Sequence, residues 1–301
     1  MLNPQPGIFS LGTASHAYLE FDLTGDAADL ILAVARLREP RTTMGGVNLV
    51  AGFRPELWRS VVPDGLPADL TGFTEPVVGD DGYAMPATQH DLLLWVSGSA
   101  YDVVFDVSRA AMASLAPVAT LAHEVSSWPY QKDRDLTGFI DGTENPSLSE
   151  APDVAVIPDG RPGAGGSVVL VQQWRHAVAD WEALPVAEQE RIMGRTKADS
   201  TELDDKPAFS HVARTDQDEL GRIFRRNMPY GTVHDHGTMF VGFSAEQSRL
   251  HRMLQRMAGT DDGAGDGLRD GLTRYTTALT GAYYFVPAQG DLSRFDPTPA
   301  D

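Results

Sequence analysis

Leu49-Val-Ala-Gly-Phe53 runs straight into Arg54-Pro-Glu-Leu-Trp-Arg-Ser-Val61, and far along the chain Met239-Phe-Val-Gly-Phe243 runs into Ser244-Ala-Glu-Gln-Ser-Arg-Leu-His251. Each is a strand-like apolar run closed by Gly-Phe and followed by helical spacing. In the second, Leu250, Met253, Leu254 and Met257 share one helix face. The echo predicts an α+β protein of two similar halves, each a sheet covered by helices. Around the first stretch, residues 16–23 alternate apolar and polar side chains, the period of a half-buried strand, and 91–97 read as an inner strand. Residues 26–37 have helical spacing with Asp26 as N-cap, and 106–121 read as a helix broken at Pro117. Around the second stretch, 167–174 and 283–286 read as strands, and 186–195 and 245–257 as helices. Residues 141–166 are rich in proline and glycine and read as a linker. The expected division is therefore 1–140, a linker over 141–166, and 167–301.

The 301 residues include 24 basic and 42 acidic side chains, a net charge of −18 at pH 7. That balance argues against a nucleic-acid partner, whose non-specific binding rests on phosphate neutralisation, and against docking on an anionic membrane. Cysteine is absent. Its absence removes disulfides, thiolate nucleophiles, Cys-ligated zinc, iron–sulfur clusters and thiolate-ligated haem. No run is long enough to span a bilayer, and the first residues lack the basic and apolar regions of a leader, so a soluble cytoplasmic protein is expected. P-loop, dinucleotide, nucleophile-elbow and HExxH motifs are missing.

Three segments carry residues suited to chemistry. In Leu136-Thr-Gly-Phe-Ile-Asp-Gly-Thr-Glu-Asn-Pro146, Asp141 either bonds its own turn or stands beside Phe139 and Ile140 as a carboxyl of raised pKa. In Phe209-Ser-His-Val212, His211 is either a packed histidine or a metal or haem-iron ligand. In Ile223-Phe-Arg-Arg-Asn-Met-Pro-Tyr-Gly231, the arginine pair is either a solvated face or an anion-binding group. A competing cluster, His234 and His236 with Asp204, Asp205 and Asp235 nearby, has the i, i+2 spacing of two metal ligands on one strand face.

Taken together, the segments resemble the dye-decolourising peroxidases of the compact bacterial, intracellular type. The resemblance rests on Gly138 to Pro146, Gly194-Arg-Thr-Lys197, Ser210-His211, Arg225 to Gly231 and Leu279-Thr-Gly-Ala-Tyr-Tyr-Phe285, which fall in the family's order across nearly the whole chain. It implies two ferredoxin-like halves in a dimeric α+β barrel-like arrangement, with haem b held mainly in the second half. It implies His211 as the axial iron ligand, and Asp141, Arg225 and Asn227 on the distal side, with Arg225 preferred to Arg226. Asp270 is the implied carboxylate partner of His211, with Asp266 as the alternate. Arg195 and the backbone of Gly142, Thr143, Glu144 and Asn145 are expected near the haem propionates. The interval from His211 to Arg225 is short for the family, which suggests a trimmed loop near the haem.

The implied activity is reduction of hydrogen peroxide through a ferryl state, coupled to oxidation of small or bulky organic donors such as dyes and phenolics. The acidic balance favours cationic donors, Mn(II) among them. Trp174, Trp181, Tyr230, Tyr283 and Tyr284 are candidate electron relays or simply core. A homo-oligomer is expected, and the C-terminal residues show no tail for encapsulin targeting. The alternative is a haem-binding storage, transfer or sensor protein with incidental peroxidase activity.

Overall fold

Alternation along the strands sorts side chains onto two faces of one closed sheet. The computed structural model describes residues 3–37, 46–260 and 267–296. The strands are β1 (Ser15–Leu23), β2 (Val47–Phe53), the small hairpin β3 and β4 (Val77–Val78, Ala84–Met85), β5 (Leu92–Gly98), β6 (Ala119–Ser127), β7 (Ser167–His176), β8 (Phe224–Arg225), β9 (Met228–Gly231), β10 (His236–Ser244), β11 (Thr276–Ala278) and β12 (Ala282–Val286). The helices are α1 (Ala27–Ala35), α2 (Pro55–Val61), α3 (Tyr101–Leu115), α4 (Ala151–Ala155), α5 (Val178–Glu182), α6 (Val186–Met193), α7 (His211–Arg214), α8 (Gln217–Leu220), α9 (Gln247–Ala258) and α10 (Gln289–Ser293). No helix among the described residues is long and apolar enough to cross a membrane.

Ten strands form one antiparallel sheet in the order β11-β7-β12-β2-β5-β1-β6-β9-β10-β8, and an additional β7–β10 pairing closes it into a barrel. The halves run in the same order, β2-β5-β1-β6 in the first and β9-β10-β7-β12 in the second. They join where Phe285 meets Phe53 and where Ser127 meets Tyr230. Tyr18, Leu93, Trp95, Val169, Val171, Val241 and Tyr284 fill the lumen, joined by Ala151 and Ala155 of α4. Leu19, Phe21, Leu92, Leu94, Val168, Leu170, Tyr283 and Phe285 face outward and pack with apolar residues of α1, α2, α3 and α9.

Four sequence expectations change. On the strand over 16–23 only Asp22, near its end, is exposed: His16 and Glu20 are buried in the lumen, because barrel closure covers both faces. Residues 106–121 are not one broken helix. The helix is α3, and Ala119 onward pairs with β1 as β6. The linker contains α4, which docks on the barrel. The helix over 186–195 stops at Met193, where Gly194 takes φ +90°. Asp26 does cap α1, accepting from the Ala28 N–H at 2.8 Å.

Candidate active site

The outer face of β7 and β10 and the helices α7 and α9 enclose a cleft with ≈ 1550 Å³ of free space, its open mouth included. Leu170, Trp174, His176, Thr238 and Phe240 come from the sheet, and Leu250, Met253, Leu254 and Met257 from α9. The hairpin around Asp141 covers one end. His211, Asp141, Arg225, Asn227, Arg195, Gly142, Thr143 and Glu144 all line this cleft.

His211 opens α7, whose N-cap Ser210 accepts from the Ala213 N–H at 3.4 Å. Gly194 packs here: a Cβ would lie 2.9 Å from Ser210 Oγ. Nδ1 of His211 is 2.6 Å from Oδ2 of Asp270, which is fully buried. The other oxygen of Asp270 accepts from the Leu272 N–H at 2.8 Å, and the Gly271 N–H donates to Phe209 O at 2.8 Å. These bonds fix the carboxylate beside the ring. A carboxylate accepts, so Nδ1 carries the hydrogen and Nε2 keeps a free lone pair. No hydrogen bond engages Nε2 among the described residues. Asp266, the alternate partner, lies outside the described residues.

Across the cleft, Asn227 links Asp141 to the sheet: its Nδ2 lies 3.5 Å from Asp141 Oδ1, and its Oδ1 accepts from the Val241 N–H at 3.2 Å. Register separates the arginines. Arg225 stands opposite Gly242 and faces the cleft, while Arg226 enters the lumen, donating to Ile8 O at 2.7 Å and lying 5.0 Å over the Trp95 ring. The Arg225 guanidinium has no protein acceptor among the described residues, and its Nε is buried without a partner. Asn145, expected beside a cofactor, is absent from the cleft wall. Its side chain pins the Arg225 backbone, donating to Arg225 O and accepting from Arg225 N, both at 2.9 Å. Arg195 is clamped by Glu144 and by Glu202 at 3.1 Å.

Two titratable groups in the cleft escaped the sequence reading. Burial, then repulsion from Asp141, raises the Asp135 pKa to about 6, against hydrogen bonds from Thr137 and the attraction of His211 when its ring is protonated. Burial, then His236, lowers the His176 pKa to about 4. The signal for His176 was its place in the outward series Gln172, Trp174, His176. Asp135 carries no such signal, since its side chain accepts from the Thr137 N–H two residues on, as any turn aspartate does. The His234–His236 cluster does not assemble: His236 Nδ1 bonds Thr232 O at 2.8 Å, and no group of three or more potential ligands gathers among the described residues. Of the candidate relays, Trp174 lines the cleft, Tyr230 and Tyr284 face the lumen, Tyr283 packs outside the barrel, and Trp181 packs against Phe139, which itself lines the cleft.

A closed α+β barrel with a histidine–carboxylate pair facing an acid, an arginine and an amide across an external cleft is the frame of a peroxidase. The family model for the C-terminal part of Dyp-type peroxidases matches residues 132–291, and the chain belongs to this family. A dye-decolorizing peroxidase of Rhodococcus erythropolis is 37% identical over 94% of this chain and 86% of its own length. Among solved structures, a Dyp-type peroxidase protein of Shewanella oneidensis superposes with TM-score 0.89 at 30% identity, covering 98% of this chain and 99% of its own. A variant of Rhodococcus jostii RHA1 DypB in complex with heme gives TM-score 0.85 at 32% identity, covering 97% and 98%.

Proposed function

We propose that this chain is a haem b peroxidase that reduces hydrogen peroxide and oxidises organic donors, dyes and phenolics among them. The observation that carries the reading is the His211–Asp270 pair set across one cleft from Asp141, Asn227 and an unpaired Arg225. The residues fit a haem. A free Nε2 offers an axial bond, α9 and Phe240 offer apolar walls, and the orphaned Arg225 Nε awaits an acceptor. His211 would hold the iron, with Arg195 and the backbone of Gly142 and Thr143 near the haem carboxylates. Bound there, haem supplies the redox iron at which peroxide is reduced and donors are oxidised.

The chain's own groups do the rest. Asp270 accepts the His211 Nδ1–H, orients the ring and gives it anionic character. Asp141 would take a proton from one oxygen of hydrogen peroxide and return it to the oxygen that departs as water, the electrons that break the O–O bond being supplied by the haem. Asn227 holds Asp141 to β10. The Arg225 guanidinium neutralises charge growing on the peroxide as its O–O bond breaks. Glu144, Glu202, Asp216 and Asp218 make the cleft wall acidic, which favours cationic donors, Mn(II) included. The shared strand order of the halves supports two ferredoxin-like units.

Visible spectra of hemin-reconstituted protein, before and after one equivalent of peroxide, test the reading. A Soret band that peroxide shifts is expected, with His211→Ala losing the band and Arg225→Ala keeping it but reacting slowly. A band indifferent to peroxide would turn the reading to a haem carrier or sensor.

A further inference from the structure

Asp135 lies on one leg of a tight hairpin and Asp141 on the other. Arg134 bridges Ile140, the Asp135 N–H donates to Phe139 O at 3.1 Å, and the Asp141 N–H donates to Asp133 O at 2.6 Å. In this antiparallel register Asp135 stands opposite Phe139, and Asp141 is its diagonal neighbour on the same face. Such diagonal pairs are about 7–8 Å apart between backbones, a gap that two side chains and one water fill. Both residues line the cleft. The hairpin is held from outside: Arg134 donates to Gly138 O at 2.7 Å and Lys197 O at 2.9 Å, and Trp181 Nε1 donates to Thr137 O at 2.9 Å.

We propose that Asp135 is a positioning residue for protons, passing them between solvent and Asp141; the role rests on the peroxidase reading above. The proton leaves the Asp135 carboxyl, crosses one water to the Asp141 carboxylate, and leaves Asp135 ionised until solvent reprotonates it. Return runs by the same path, and no electrons move. Only Oδ1 of Asp135 is tied down, accepting from the Thr137 N–H at 2.8 Å and from Thr137 Oγ1. Oδ2 has no protein donor among the described residues.

The charges around Asp135 suit an exchanging acid. Asp141 repels it along the hairpin, and His211, charged only if protonated, exerts no pull as the neutral ring paired with Asp270. Lys197 is occupied with Gln189 Oε1 at 2.6 Å and with the Phe139 ring, and Arg134 with backbone carbonyls. Burial leads, and the resulting pKa of about 6 lets Asp135 both give and take a proton near neutrality.

The test uses hemin-loaded protein and the rate of cyanide binding to ferric haem between pH 4 and 8, because HCN must hand its proton to the distal side. Wild type should show an inflection near pH 6. Asp135→Asn should lose it while keeping haem and melting temperature, and should reduce peroxide about tenfold more slowly. Thr137→Val removes a donor that lowers the Asp135 pKa, so its inflection should move to higher pH. Profiles of Asp135→Asn that superimpose on wild type would overturn the proposal. If that variant fails to hold haem, an unmoved inflection in Thr137→Val overturns it instead. Failure of wild type to bind haem or respond to peroxide refutes the peroxidase reading and is seen before any variant is compared.

Discussion

Acid should weaken this fold through His16, a residue far from the chemistry. The ring is fully buried in the lumen. Trp95 Nε1–H donates to its Nδ1 at 3.1 Å, which leaves the hydrogen on Nε2 to donate to Thr13 Oγ1 at 3.1 Å. Both nitrogens are satisfied only in the neutral ring, since a proton on Nδ1 would face the indole N–H. Burial, then the nearby Arg226 charge, lowers the pKa from 6.5 to about 4. Between those values the unfolded chain binds the extra proton and the folded chain does not. The stability contribution is therefore complete above pH 6.5 and is lost as the pH falls toward 4. A gap of about 2.5 pKa units is worth about 3.4 kcal/mol in full, and about 2.5 kcal/mol of that is gone by pH 4.5. Urea unfolding at pH 7 and pH 4.5, for wild type and His16→Gln, isolates the residue because His176 and the carboxylates titrate in both proteins. With m of about 2–3 kcal/mol/M, the wild-type midpoint should fall about 1 M further than the variant's. Equal falls would refute the reasoning and mean that the lumen hydrates the imidazolium.

Asp270→Asn should keep the His211 site filled but slow reaction with peroxide about 10–100-fold and raise the iron potential; an unchanged potential in spectroelectrochemistry would show that Asp270 does not tune the imidazole. Tyr284→Phe deletes the hydroxyl that donates to Glu20 Oε1 at 2.6 Å in the lumen, and chemical denaturation should register a loss of about 1–3 kcal/mol. A loss near zero would mean the carboxyl finds another donor. Gly194→Ala forces a side chain into φ +90° against the cap of α7, so stability should drop by about 1–2 kcal/mol and hemin should dissociate faster, both measurable on the purified protein.

The fold was legible where a segment's own periodicity matched its environment. Residues 47–53 and 167–174 are strands, and the amphipathic run after Phe243 is α9, which starts two residues later than the expected 245. Legibility failed where tertiary closure supplied the environment. His16 and Glu20 are polar residues at alternate positions, which in an open sheet means water. Their partners Trp95 and Tyr284 are 79 and 264 residues away, and nothing local in β1 announces them. β6 failed differently. Its alanines and leucine continue the apolar run of α3, and only the pairing of Ala119 to Ser127 with β1 makes it a strand.

The site divides along the same line. Motifs singled out Asp141, His211 and the arginine pair because each motif is a local turn, cap or short strand, and Asp141, His211 and Arg225 line one cleft. What makes them one site is register. Arg225 rather than Arg226 faces the cleft because Arg225 pairs with Gly242 on the outward side of β10, and a slip of one residue would exchange them. Asp270 reaches His211 across 59 residues because α9 returns the chain and the Gly271 N–H locks onto Phe209 O. Asp135 was the residue lost. Its side chain bonds Thr137 two positions on, the habit of any turn aspartate. The second oxygen has no protein donor among the described residues, and Asp141 comes near it only once the hairpin closes, so its chemistry is a property of the folded loop and not of the sequence Arg134-Asp-Leu-Thr-Gly138.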